Sequence, residues 1–283
     1  MMNVGVVVDS VGCVPKDVLA ALDMEMVPLL VVMDGKTYRD GVDLSPQDFY
    51  RRLAAGPPYP TTSALSAADY VAAYQRLIDR GHDAIVSITL AKGLSGTIES
   101  ALAAADQVNV PVRVLDSRNA AAPEGMIAVA AAKRAASGAS LDEVAARASE
   151  VADRVSLIAV IPDLMYLYRG GRLNPIQARV GQLLQITPLL TVRDGVVEVV
   201  ARERTLRRAL DRMIAIARAA SGGQPMTVWV MEAGGRELAE QVAQRVQDAV
   251  PLVEPMLWTS FTPVMGAHTG PGTAGFAYFV GEL

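Results

Sequence analysis

Two different rhythms divide this sequence, and a chain carrying both cannot close around one uniform sheet. Through the first half, short β-branched runs at residues 4–8, 27–32, 84–88 and 112–115 alternate with amphipathic or alanine-rich stretches of helical period. Continuous apolar runs of this length read as buried strands, and the stretches between them as crossover helices. The first half therefore predicts a mainly parallel sheet flanked by helices. From about Val155 the rhythm changes. Runs at 187–192 and 196–201 are joined by Arg193-Asp194-Gly195, where Asp-Gly signals a tight hairpin, so antiparallel pairing begins here.

The remaining elements follow from local signals. Ser45-Pro46 supplies an N-cap and a proline at the first helical position, Ser66 with Asp69 repeats the cap, and Ser140 with Glu143 forms a capping box. Tyr70, Val71, Tyr74, Leu77 and Ile78 make one apolar helical stripe, read as core. In the second half we expect strands at 156–161, 226–231, 252–258, 264–267 and 276–280, and helices over 175–184, 205–219 and 236–249. The fold class is thus α/β, with an N-terminal α/β domain over 1–153 and a C-terminal α+β domain of largely antiparallel sheet over 154–283. A ligand cleft is expected between them.

Composition removes several functions. A net charge of -4 argues against a general nucleic-acid binder, which needs a concentrated basic surface. Cys13 is the only cysteine, so neither an intramolecular disulfide nor a cysteine metal site can form. The apolar stretch 125–132 is stopped by Lys133-Arg134 well before the roughly 20 residues that spanning a membrane requires. Met1 to Asn3 lead straight into an apolar strand without the features of a secretory signal, so the expected location is the cytoplasm. Gly270 to Gly275 formally match G-x-G-x-x-G, but a strand follows instead of a helix, which rejects a dinucleotide; P-loop and zinc-protease patterns are absent.

The positive signals are hydroxyl- and glycine-rich. Ser95, in Leu94-Ser95-Gly96-Thr97, is placed at a helix start after the strand 84–88, where open backbone amides favour an anion. Thr61, Thr62 and Ser63 follow a proline-rich loop and can donate three hydroxyls to a carboxylate. Asp9-Ser10 and Asp116-Ser117 end two strands, where α/β sheets bind ligands, and all four groups are expected to converge on one crevice. Arg172, after Gly170-Gly171, and Arg204 offer planar forks for carboxylate or phosphate. His268, one of two histidines, stands among glycines that let a ligand approach the main chain; the plainer reading is a histidine at a turn between two strands.

Taken in order, Val8-Asp9-Ser10, Val27-Pro28-Leu29, Tyr38-Arg39-Asp40-Gly41, Pro60-Thr61-Thr62-Ser63, Leu94-Ser95-Gly96-Thr97, Asp116-Ser117, Gly170-Gly171-Arg172 and His268-Thr269-Gly270-Pro271-Gly272 resemble the DegV family of bacterial fatty acid-binding proteins. The resemblance spans nearly the whole chain. It implies two α/β domains enclosing a long-chain fatty acid. It also implies a separate ATP-dependent fatty acid kinase that converts the carboxyl group to an acyl phosphate for phospholipid synthesis. By the same resemblance Thr62 and Ser95 hold the carboxyl group, with Thr61, Ser63 and Gly96 beside them. Arg172, Arg204 and His268 stand at its exit and face the partner as cationic donors. No catalytic residue, metal or cofactor is expected in the chain itself.

The sequence departs from the family pattern at Ala64-Leu65-Ser66, where Gln-Pro-Ser is common, at Ala91-Lys92, and at Thr187, where a lysine is usual before Pro188. The competing readings are a serine esterase or thioesterase, with Ser95 and His268 completed by Asp116 or Asp9, and a lipid-sensing regulatory protein.

Overall fold

The computed structural model describes residues 2–63, 65–173 and 186–283. The helix expected over 175–184 lies outside them. The first half builds a four-stranded sheet in the order β2-β1-β6-β7 from β1 (Val4–Asp9), β2 (Glu25–Val27), β6 (Ala84–Thr89) and β7 (Val112–Asp116), all parallel. β1 and β6 are buried at every position, which explains their unbroken apolar runs. Helices α3 (Ala67–Asp79) and α4 (Thr97–Ala105) pack together against this sheet, as do α5 (Ala122–Ala136) and α6 (Leu141–Arg154). Ser140 and Glu143 form the expected capping box, and Tyr70, Tyr74 and Leu77 are fully buried.

The second half builds a six-stranded sheet in the order β10-β9-β8-β13-β11-β12. Its strands are β8 (Ser156–Val160), β9 (Thr187–Arg193), β10 (Val196–Glu203), β11 (Met226–Glu232), β12 (Leu257–Ser260) and β13 (Ala274–Val280). Pairing is antiparallel except between β11 and β12. Asp194 (φ 48°) and Gly195 (φ 76°) give the β9–β10 turn the left-handed backbone that Asp-Gly predicts. The turn is packed against the first half: Gly195 N donates to Arg118 O, and a Cβ on Gly93 would lie 2.6 Å from Gly195 O. This tip therefore braces the loop that leads to Ser95.

Between the sheets lies α5, which touches β1 and β6 on one side and β8 and β13 on the other. Every residue from Ala122 to Ala132 is buried. The expected division at 153/154 falls in the last turn of α6, and part of the core crosses it. One apolar cluster joins Val6, Ile88 and Met126 to Trp229, Ala277 and Phe279.

Three expectations are corrected. The single strand at 27–32 is broken by Pro28 into β2 and β3 (Leu30–Met33), and β3 leaves for a separate antiparallel sheet with β4 (Lys36–Arg39) and β5 (Thr61–Ser63). Proline has no amide to give a central ladder, and Leu29 N bonds Ser10 Oγ instead. The strand expected at 252–258 forms only at its end, as β12. The strand at 264–267 is a helix, Pro263–Thr269; Pro263 is tolerated at its first turn, where a missing amide costs nothing, and the Val264 amide is satisfied from a distance by Asp40. With α1 (Lys16–Ala21), α2 (Pro46–Leu53), α7 (Met165–Arg169), α8 (Leu206–Ser221) and α9 (Arg236–Gln247), we label this helix α10. Among the described residues no helix is long and apolar enough to cross a membrane.

At the start of α5 the core buries two coupled acids. Asp9 is 1% exposed and accepts from Leu90 N (2.9 Å) and Val11 N (3.0 Å). Burial nevertheless pushes its carboxyl up to about 7. Glu124 is wholly buried against Asp9, and burial, followed by the charge of Asp9 and the hydrogen bond with it, raises its carboxyl well above the usual range. A native state that keeps protons which the unfolded chain has lost is weakened as pH rises. The cost at Asp9 is absent below about pH 4 and grows up to about pH 7, and Glu124 adds to it in the same direction. Glu124→Gln, the neutral isostere, is expected to flatten the fall in stability between pH 5 and pH 8 by about 1–2 kcal/mol, read from urea unfolding at both pH values.

Candidate functional site

The loop from β6 to α4 is fixed before it reaches Ser95. Leu90 N donates to Asp9, Ala91 N to Asn119 O and Lys92 N to Asp116 Oδ1. Gly96 is the N-cap of α4 and contributes no side-chain cap, so the first amides of this nine-residue helix are not capped by a side chain at that position. Ser95, half-buried just before it, shares a 2.7 Å hydrogen bond between its Oγ and Thr97 Oγ1.

From the other side β5 brings up the hydroxyl run. Thr62 is half-buried and pairs with Val31 on β3, while Thr61 and Ser63 are exposed, as strand alternation requires. Thr62 Oγ1 lies 3.0 Å from His268 Nε2, a contact across 206 residues. Arg172 reaches back from the second half, its Nε donating to Leu94 O (3.0 Å) and a terminal nitrogen to Gly170 O (2.5 Å).

These groups border a cavity of about 200 Å³ between the two halves. Its wall is largely aliphatic, with Leu29, Leu90, Leu157, Ile161, Leu190 and Val264, while Thr62, Ser63, Ser95, Gly96, Arg172, Thr191, His268 and Thr269 bring polar groups to it. A second space of about 230 Å³ adjoins it and is bordered by Thr61, Tyr59, Tyr166 and Arg169. Thr62, Arg172 and His268 line both, so they stand where an apolar chamber meets a polar mouth.

His268 is not cationic in this setting. Burial, and secondarily the nearby charge of Arg172, lowers its pKa to about 4, so the ring is neutral at physiological pH. Its Nδ1 is buried with no partner among the described residues, and a Cβ on Gly170 would lie 2.2 Å from that atom, so Gly170 lets the ring fit. Two other expectations also change. Arg204 is exposed just past the end of β10 and lines neither space. The strand-end pairs do not line the cavity with the hydroxyl loops, although Asp9 and Asp116 anchor the loop before Ser95. Asp9 and Ser10 border a larger cleft of about 1100 Å³ together with Asp40, Glu232 and Trp258, while Asp116 and Ser117 hold their own turn through Arg118 N and Asn119.

A serine hydrolase is not assembled. Ser95 Oγ is engaged with Thr97, His268 Nε2 meets Thr62, and among the described residues no carboxylate orients Nδ1. Among the described residues no group of three or more His, Cys, Asp or Glu side chains could hold a metal ion. The sequence reading missed the aromatic rim: Arg169 stacks 4.3 Å over the Tyr59 ring, which meets Tyr166 edge-on at 5.7 Å. Arg169 directly precedes the glycine pair of Gly170-Gly171-Arg172, which was the available signal.

The family model described as "Uncharacterised protein, DegV family" matches residues 3–280. The chain belongs to the DegV family. Protein DegV of Bacillus subtilis is 34% identical over 280 residues, covering 98% of this chain and 99% of that protein. A DegV domain-containing protein of Mycobacterium bovis is 35% identical over 281 residues, covering 99% and 98%. Among solved structures, a fatty acid-binding DegV family protein from Thermus thermophilus superposes with a TM-score of 0.92 at 30% identity, over 99% of this chain and 100% of that one. DegV of Bacillus subtilis, a fatty acid-binding protein, gives 0.89 at 30% identity, with the same coverage.

In this DegV-family chain the state of His268 can be read directly. A buried neutral histidine costs stability as pH falls below its unfolded value of about 6.5, because the unfolded chain then binds the proton first. The imidazole resonance of His268 is expected to titrate near pH 4 in an NMR pH series. Gly170→Ala, which forces the ring from its place, should raise that midpoint by about one unit or more toward the ordinary value.

Proposed function

We propose that this protein binds a long-chain fatty acid with its tail in the aliphatic cavity and its carboxylate at Thr62 and Ser95. It then offers the carboxyl group through the mouth to a separate ATP-dependent kinase. The observation that carries this reading is the position of Thr62, Arg172 and His268 on the boundary between the two spaces. An amphiphile with one anionic end matches such a boundary, since its apolar length is removed from water and its charge stays beside donors. The fatty acid-binding relatives support the same ligand class.

The neutral His268 gives Thr62 a direction. When Nε2 carries the ring proton it donates to Thr62 Oγ1, which frees the threonine proton for the ligand carboxylate. In the other tautomer Thr62 must donate to the ring and loses its proton for the ligand. A bound carboxylate therefore selects the first tautomer. Ser95 can turn its hydroxyl from Thr97 to the second carboxylate oxygen, with Thr61, Ser63 and Gly96 around it.

In the kinase step a carboxylate oxygen bonds to the terminal phosphorus of ATP, the bridging P–O bond breaks and ADP leaves. Arg172, charged and half-buried, spreads the charge on the transferring group. Arg204, outside the mouth, is left to the encounter with the partner. Nucleotide and metal belong to the kinase, and the acyl phosphate product would feed phospholipid synthesis.

Native mass spectrometry of purified protein is expected to show a bound fatty acid. Thr62→Ala and Ser95→Ala should each weaken affinity by about 10- to 100-fold, the loss of one hydrogen bond to a charged group. Acyl phosphate should appear only when kinase and ATP are both added, and Arg172→Ala should suppress it while binding persists. An empty protein that also refuses added palmitate and oleate would sink the reading.

A further inference from the structure

The mouth depends on where α10 sits, because this helix carries Val264, Met265, His268 and Thr269 to the cavity wall. Its own sequence secures its start poorly. The N-cap residue Thr262 makes no side-chain cap bond, and a helix of seven residues has little intrinsic stability.

The missing cap comes from 224 residues away: Asp40 Oδ1 accepts from Val264 N at 3.1 Å, satisfying an open amide of the first turn. Asp40 is wholly buried and tied on every side. Its Oδ2 accepts from Ser10 Oγ at 2.6 Å, Ser10 Oγ accepts from Leu29 N at 3.1 Å, and Asp40 N donates to Leu29 O at 2.8 Å. One carboxyl group thus joins the end of β1, the link between β2 and β3, and the start of α10.

We propose that Asp40 is the positioning residue of the polar mouth: through the Val264 amide it fixes the start, and so the rotation, of the helix that sets His268 against Thr62. The packing along α10 transmits any change. A Cβ on Gly266 would lie 2.5 Å from Phe49 Cε1, so this face of the helix meets α2 without slack. At the far end the His268 ring is confined between Thr62 and Gly170. A helix released at Val264 can move only by shifting the ring out of that slot. Asp40 borders the separate cleft of about 1100 Å³ and lines neither the aliphatic cavity nor the mouth; it acts through the helix.

The two histidines of the chain make this testable with an internal control. His82 pairs with Asp23 at 2.9 Å near the end of α3, at the opposite end of the parallel sheet from Asp40. In an NMR pH series on the full chain, Asp40→Ala is expected to raise the His268 midpoint by about one unit or more as its ring loosens toward water, while His82 keeps its wild-type resonance. Asp40→Asn, which retains an acceptor for Val264 N, should restore His268. Should Asp40→Ala not fold, Asp40→Ser serves, since its shorter side chain satisfies Ser10 without spanning to the helix. An unchanged His268, or a His82 that moves as far as His268, overturns the proposal.

A second measurement rests on the mouth being a carboxyl site: the ratio of palmitate to hexadecanol affinity. That ratio should fall about tenfold in Asp40→Ala, corresponding to about 1.4 kcal/mol, and recover in Asp40→Asn. An unchanged ratio alongside a shifted His268 overturns the claim that recognition runs through Asp40. If the wild-type protein binds neither compound, the fatty acid reading fails by itself and the imidazole series still decides the role of Asp40.

Discussion

Burial of α5 on all sides is the constraint from which the rest of the molecule follows. A helix with apolar or small residues around its whole circumference must be enclosed, and here it separates the parallel sheet from the six-stranded sheet. Small side chains make the enclosure tight. A Cβ on Gly125 would lie 2.3 Å from Gly12 O and 2.9 Å from the Trp229 ring, so one glycine sets the distance from the turn after β1 to the second half. With that distance fixed, the loop before Ser95, the tip of the β9–β10 hairpin and the start of α10 have one relative position. The cavity is the space left beside the helix start, where Ala120 and Ala121 form part of its wall. Ala121 adopts φ 60° and ψ -150°, a conformation that costs a residue with a Cβ roughly 1–3 kcal/mol and persists only where packing dictates it.

The same geometry explains why the polar groups of the site are mostly neutral. Burial opposes charge, and it raises the buried acids Asp9, Glu124 and Asp40 and lowers the half-buried His268 and Arg172. A cavity wall of hydroxyls avoids that penalty. Thr62 and Ser95 can direct hydrogen bonds at a carboxylate while carrying no charge that needs compensation when the ligand is absent. Of the two arginines at the mouth, Arg169 is exposed and sustained by solvent, while Arg172 is half-buried and burial weighs against its charge.

Local chemistry was legible in the sequence wherever the cause of a structure lay within a few residues. The capping box at Ser140, the Asp194-Gly195 turn and the stripe through Tyr70, Tyr74 and Leu77 need no distant partner, and they form as read. The family motifs carried Thr62, Ser95, Arg172 and His268 to one place although no spacing rule connects them. What failed was decided at long range. Val264 to Ala267 is a short apolar run, which periodicity alone assigns to neither helix nor strand. The Asp40 bond and the glycine contact with α2 settle it as helix, and both arrive from the other half of the chain. The protonation state of His268 was likewise invisible, because it depends on burial beneath Gly170 and on the position of Arg172.

The glycine-rich stretch around His268 takes its meaning from this long-range packing. The sequence suggests glycines that open the backbone to a ligand, yet two of them serve neighbouring side chains. Gly266 admits Phe49 and Tyr50, and Gly270, at φ 74°, admits the Tyr166 ring, which a Cβ there would meet at 2.4 Å. Tyr166 in turn carries Tyr59 and, through it, the Arg169 stack at the rim. The histidine is therefore held by contacts that begin in both halves, and a neutral ring so held can orient Thr62 without competing with Arg172 for an anion. A cationic histidine at the same place would repel that arginine inside a site with little water to screen the two charges. Burial that keeps His268 neutral is thus what allows a histidine and an arginine to share one mouth.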